Sequence, residues 1–453
     1  MILRKCTAAH KLVSSYQATI RAGRADSSYP EWSDHFLTFC EQTADKTLKF
    51  LGRQFEKYSE GTISEEDFSS LLSTIMQSWE LLHAFMKPVL DADTLKVPYP
   101  LVDFITHHVG CLNIVRGVKF IVETSSGLTY YHREHSSLQP TMSELRLLVN
   151  APEVEPLLGF LGLPCSQNKS LFMNCLLFHE AGHFIAEEAG ILSVHEFDGM
   201  IDALNSSFGS SSRWAAETIA AWIEELFADL VAVNLLGAAY TFAYMELLRQ
   251  VADLSSEYVG AFGSTHPADA LRLREQLLIL RKDKWSPHCR ALSQWKELNQ
   301  IAQLGPDDYS PPTQHTENPA MADVAERYRK LIDFLCNGDM IQSIRDRVNY
   351  LLGDRKNPRE DYAESKKAVI ECLEHGIVPS RDVDGKSPHP LAIINGAVLF
   401  WLSGMNNLYK RVRKLSSEKY TDRAFLEQRL EMWCLKAIED WLRRQEPDEE
   451  SSA

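Results

Sequence analysis

The chain has 453 residues, 45% hydrophobic and 24% charged, with a net charge of −15. That length fits two or three domains around at least one large core, and the acidic balance argues against a general affinity for nucleic acid or anionic membrane. Nine scattered cysteines without a CxxC pair fit reduced thiols rather than a disulfide framework.

The segment from Met1 to Gln17 holds no apolar core of signal-peptide length. No run of about 20 uncharged apolar residues follows it. A cytoplasmic protein is expected, with neither membrane nor nucleic acid among its partners. Residues 1–100 read as a helical region: Phe36, Phe39, Cys40, Ala44, Leu48 and Leu51 recur at helical spacing, as do Phe68, Leu71, Leu72 and Ile75. Thr62 or Ser64 can cap the second of these helices, and Val97-Pro98-Tyr99-Pro100 marks a boundary.

Val118, Phe120 and Val122 alternate with Lys119, Ile121 and Glu123, as in a strand. Ser125-Ser126-Gly127 is a turn, and Leu128 to Tyr131 returns as the second strand of a hairpin, the one β signal in the sequence. Helical patterns resume at Leu171 and continue to about Arg281, with one buried helix expected over Leu226–Leu248. The Pro-rich stretch Leu304–Met321 is a linker. Val324–Leu352 and the chain from Ala368 read as helical, and the acidic tail as disordered. The fold expected is mainly α with a small β element, in three parts: residues 1–100, 101–303 and 322–445.

Chemistry concentrates in the sequence Leu176 to Glu187, which contains His179-Glu180-Ala181-Gly182-His183. Two histidines four residues apart share one helix face, one turn apart, which suits two corners of a tetrahedral zinc site. Glu180 lies beside His179 and can reach a water there as general base without being a ligand. A third ligand is needed. Glu225, in Glu224-Glu225-Leu226-Phe227-Ala228-Asp229, resembles the gluzincin pattern of a Glu on a second helix followed four residues later by an Asp, and Asp229 shares its helix face. Asp229 can accept the free N–H of His179. Leu226, Phe227 and Leu230 surround the pair, an unlikely setting for idle surface charge. His195, Glu196 and Asp198 are the rivals for the third position.

Further on stands Ser264-Thr265-His266-Pro267-Ala268-Asp269-Ala270-Leu271-Arg272. In this order HEAGH, EELFAD and STHPADALR resemble the gluzincin zinc metallopeptidases of the HtpX and CAAX-prenyl-protease type. Their pattern is HExxH, then ExxxAD or a close variant, then STHPPxxxR. The resemblance covers roughly residues 170–282. It implies a zincin-like core with one Zn2+ per chain held by His179, His183 and Glu225. It also implies Glu180 as base, a catalytic cleft position for His266, and Arg272 bracing the same region. His266 can donate to a developing oxyanion; equally, Thr265 or His266 can cap a helix with Pro267 at its first position. Ala268 replaces the family's second Pro, and the transmembrane helices of the family's membrane branch are absent, so a prenyl-protein or membrane role does not carry over.

The function expected is that of a zinc metalloendopeptidase acting on protein or peptide, with the terminal helical regions selecting substrate or binding a regulatory protein. The alternative is a catalytically silent or partner-regulated helical protein, a scaffold or a defence or toxin effector, that retains the zinc site. Lesser candidates are the HxxH spacing of His132 and His135, and the strand at Val118–Thr124 as a pairing edge for extended substrate. His389-Pro390, Phe400-Trp401 and the basic run Lys410–Lys414 read as core packing and a solvated helix face.

Overall fold

The computed structural model describes residues 2–25, 31–91, 97–125, 130–133, 135–152, 158–167, 170–191, 194–251, 265–282, 303–304, 308, 319–337, 339–353, 359–381, 387–415 and 423–445. Most of them are helical, and three strands form one small sheet. The chain divides into two compact units: Met1–Val102 with Arg116–Lys169, and Asp103–Val115 with Ser170–Ala453.

The first unit contains α1 (Ile2–Ala25), α2 (Glu31–Ser59) and α3 (Glu65–Asp91), followed by the start of α4 (Tyr99–Gly110). The helical spacing seen in the sequence is the core stripe. Phe36, Phe39, Cys40, Ala44 and Leu51 of α2 are buried in one cluster with Phe68, Leu72, Ile75 and Trp79 of α3. Ser64 is the cap of α3: its Oγ accepts from Asp67 N at 3.0 Å and donates to Asp67 Oδ2 at 2.6 Å. The Pro-Tyr-Pro boundary starts a helix, since Pro98 O accepts from Leu101 N and Val102 N in the first turn of α4.

The sheet differs from the expected hairpin. β1 (Lys119–Ser125) and β2 (Tyr131–Arg133) are not neighbours; each pairs with β3 (Leu158–Pro164), giving the order β1-β3-β2. β1 runs parallel to β3, with Lys119 opposite Leu158 and Ser125 opposite Pro164, and β2 runs antiparallel to it. A parallel pair needs a long crossover, and β2 with α5 (His135–Val149) lies within it. β3 went unread because all seven of its residues are buried, so it shows no alternation. Gly162 leaves room for the Tyr131 ring of the paired β2, since a Cβ there would stand 2.3 Å from that ring. Both faces of β1 are covered. Ile121 and Glu123 on its second face are fully buried, and Arg133 Nε meets the Glu123 carboxylate at 2.5 Å.

The second unit takes the rest of α4, a 3-10 turn at Asn113–Val115, and then α6 (Leu177–Ala189), α7 (Val194–Phe208), α8 (Ser212–Leu236), α9 (Ala238–Val251) and α10 (Asp269–Lys282). After these come α11 (Pro319–Asn337), α12 (Met340–Leu352), α13 (Arg359–Glu374), α14 (Pro390–Ser403), α15 (Met405–Leu415) and α16 (Arg423–Gln445). α8 is the hub, packed against α6, α7, α9, α10 and α12. The single helix expected over Leu226–Leu248 is two helices, broken at Gly237 (φ 78°, ψ −145°). The break is held from α14: Asn395 Nδ2 donates to Leu236 O at 2.7 Å, and its Oδ1 accepts from Ala239 N at 2.9 Å. His389 caps α14 by accepting from Leu391 N, with Pro390 at the first helical position.

Among the described residues no single helix is long and apolar enough to cross a membrane. Only α14 with Met405–Arg411, bent at 69°, reaches that length together; α14 itself is buried from Pro390 to Val398. The linker expected at 304–321 and the acidic tail lie largely outside the described residues.

Candidate metal centre

α6 is apolar on nearly all sides, and every residue from Leu177 to Ala186 is buried. A 3-10 turn, Met173–Leu176, feeds it, and Gly190 (φ 54°) ends it in the left-handed conformation with its N–H on Ala186 O and Glu187 O. Arg347 of α12 closes that end, donating to Ile191 O at 2.8 Å and to Gly190 O at 3.1 Å. α6 lies so close on α8 that a Cβ at position 182 would stand 2.8 Å from the Ala228 Cα and O. Gly182, between the two histidines, therefore permits the approach that carries Glu225 to them.

The one-turn offset places the His179 and His183 rings 4.6 Å apart at 85°, with their Nε2 atoms 3.1 Å from each other. Glu225 Oε2 is 3.4 Å from His179 Nε2, and Glu225 Oε1 is 3.5 Å from His183 Nε2. This His179, His183 and Glu225 group is buried and could hold a metal ion, its ligand atoms all lying within 4.8 Å of one another. Glu225 Oε2 is fully buried and makes no hydrogen bond; Arg272 Nη2 approaches it at 3.1 Å as an ion-pair contact. Two ring nitrogens and a carboxylate thus face one small volume, a set of donor atoms that a cation could take up.

The outer nitrogens of both rings carry carboxylates. Asp229 Oδ1 accepts from His179 Nδ1 at 3.0 Å, and Glu224 Oε1 accepts from His183 Nδ1 at 3.1 Å. Asp229 is fully buried and fully engaged. Arg272 grips it in a fork, Nε to Oδ2 at 2.7 Å and Nη2 to Oδ1 at 2.9 Å, and the Tyr240 hydroxyl donates to Oδ1. The Tyr240 ring lies parallel to that of His179, within 8°. Arg272 also sits over the Tyr244 ring at 4.7 Å, and the Tyr244 hydroxyl donates to Asp269.

Burial opposes charge throughout this network, and the partners decide which charges persist. It acts to lower His179, but the Asp229 and Glu225 carboxylates beside the ring push His179 up to about 10 in the metal-free protein. Burial acts to raise Glu225 and Asp229; the Arg272 guanidinium and then His179 overcome it and hold both carboxyls well below the usual range. Glu180 differs, because burial dominates and raises it against the opposing pull of His179 and His183.

His179, His183, Glu225, Asp229 and Arg272, all named from the sequence, belong to this buried hydrogen-bonded cluster. Glu180 is buried on α6 beside it. His266 is more exposed, with 59% of its side chain accessible, yet its Nε2 reaches Glu225 Oε1 at 3.3 Å. The helix-entry reading of Pro267 shifts: α10 begins at Asp269, and Ala268 O accepts from Leu271 N and Arg272 N. The rivals to Glu225 stand apart, for Glu196 is exposed and paired with Arg347, and Asp198 is exposed. The side chains of His195, Glu134 and His135 lie outside the described residues, as does Ser264. Sequence reasoning missed Tyr240 and the role of Glu224. Neither shares a helix face with a recognised motif residue in a way that spacing exposes. Compared with known protein families, curated proteins and solved structures, the chain matches none.

Proposed function

We propose that this chain is a zinc-dependent metallopeptidase of the gluzincin type, with His179, His183 and Glu225 as the ligands. The separations between donor atoms carry the reading. Ligands about 2.0–2.1 Å from a tetrahedral ion stand about 3.3–3.4 Å from each other; here the two Nε2 atoms are 3.1 Å apart, and Glu225 reaches His179 through Oε2 at 3.4 Å and His183 through Oε1 at 3.5 Å. Three protein ligands leave one position for water or substrate, as catalysis needs and a closed structural site denies. The order of HEAGH, EELFAD and STHPADALR along the chain adds its weight.

When bound, zinc supplies Lewis acidity, polarising a carbonyl and lowering the pKa of a water from about 16 to about 7. The chain's own groups supply the rest. Glu180, next to a ligand and raised by burial, takes the proton of the attacking water and delivers it to the leaving amine. Arg272 anchors Glu225 and Asp229 together, and Asp229 fixes the ring of His179. His266, exposed and within reach of Glu225, donates to the carbonyl oxygen as charge develops there. The substrate is a protein or peptide.

The test is metal content and hydrolysis, measured on wild type, Glu180→Gln and Glu225→Ala. About one zinc per chain is expected in the first two and none in the third, with hydrolysis of unfolded casein or a peptide mixture by wild type alone. Well-folded wild type that takes up no metal after incubation with zinc overturns the proposal. Metal without hydrolysis favours a silent or partner-regulated protein.

A further inference from the structure

Resting on the metal-centre reading, we infer that Glu224 is a positioning residue that sets how tightly this site holds its ion. The two histidines are supported unequally. His179 has its outer nitrogen on Asp229, which has no exposed surface and is itself gripped by Arg272 and Tyr240. His183 has its outer nitrogen on Glu224, one residue before the ligand Glu225 and 47% exposed. The same helix α8 thus delivers a ligand with one side chain and supports another ligand with the preceding one.

The chemistry follows from the two nitrogens of imidazole. A carboxylate that accepts from Nδ1–H fixes the proton there, leaves the Nε2 lone pair directed inward, and raises its basicity. His183 Nε2 lies 3.1 Å from His179 Nε2 and 3.5 Å from Glu225 Oε1, so the fixed tautomer faces the other two ligands. Without Glu224 the His183 ring has its second tautomer open to it, and that tautomer places a proton where the lone pair is needed. Asp229 is so embedded that removing it also disturbs the core. Glu224 is the adjustable member of the pair, where affinity changes without loss of the fold.

The test uses the full chain as wild type, Glu224→Ala and Glu224→Gln, with Zn2+ and Co2+ competed against a chromogenic chelator. Glu224→Ala is expected to bind both ions about 10–100-fold more weakly and to alter the visible absorption of the cobalt form. Glu224→Gln, which keeps an oxygen acceptor, recovers most of the affinity and the cobalt spectrum. The denaturation midpoint of the metal-free protein stays where it is in all three. Affinity in Glu224→Ala equal to wild type overturns the inference, as does a loss that tracks a fall in metal-free stability. Wild type that binds neither ion overturns the metal-centre reading itself.

Discussion

At the scale of single residues, the centre is governed by where charge is placed in a setting that penalises it. Asp229 has no exposed surface and is tolerated because Arg272, Tyr240 and His179 all donate to it. Asp229→Asn keeps the shape but removes the charge, and an amide N–H then faces donors. We expect it to weaken metal binding about 10–100-fold and to destabilise the metal-free protein by about 3 kcal/mol, since Arg272 loses its main counter-charge. Chelator competition and urea denaturation measure the two effects separately. Unchanged values in both would mean that the Arg272 fork contributes nothing.

At the scale of elements, α6 and α8 act as one unit because Gly182 lets their backbones approach. α14 shows a different way of holding an element. Its cap is His389, whose ring is pushed down to about 4 by burial, with His107 adding to the effect, and whose Nδ1 must stay unprotonated to accept from Leu391 N. The unfolded chain takes up a proton near pH 6.5, and the folded chain does not until near pH 4. Stability from this group is therefore complete above about pH 6.5 and falls as pH drops toward 4. Between pH 7 and 5 the loss is about 2 kcal/mol. His389→Asn keeps a capping side chain without the titration, so its urea midpoints at those two pH values should differ by correspondingly less than those of wild type. Equal pH dependence in both proteins would remove His389 as a source of acid sensitivity.

For the whole molecule, an ion that binds only the folded state stabilises it by mass action. Zinc at about a thousandfold excess over its Kd should raise the unfolding free energy of wild type by about 4 kcal/mol. A strong chelator should reverse the rise, and Glu225→Ala should show none. Calorimetry on the three preparations reads this directly. A wild-type transition indifferent to zinc would argue against a site built from folded-state geometry. The ligands are 4 residues apart on α6 and then more than 40 residues away on α8, so no unfolded chain presents them together.

What the sequence determined by itself was whatever repeats along a single helix. The i, i+4 offset placed His179 with His183 and Glu225 with Asp229, and the apolar stripes of α2 and α3 were legible for the same reason. The cap of α3 was narrowed to Thr62 or Ser64, and Ser64 is the one that caps it. What only the tertiary structure decided were relations across long separations or inside fully covered elements. β3 is buried on both faces and shows no period, so its central place between β1 and β2 was hidden, and a hairpin was expected instead. The break at Gly237 depends on Asn395, which lies 156 residues beyond Ala239, the residue it receives. Tyr240 of α9 meets Asp229 of α8 across the break at Gly237, and Glu224 meets His183 only because α6 and α8 pack at glycine distance. Helical spacing is set by local backbone geometry, whereas these contacts depend on which helices meet and how closely, and spacing along one helix does not record its partner.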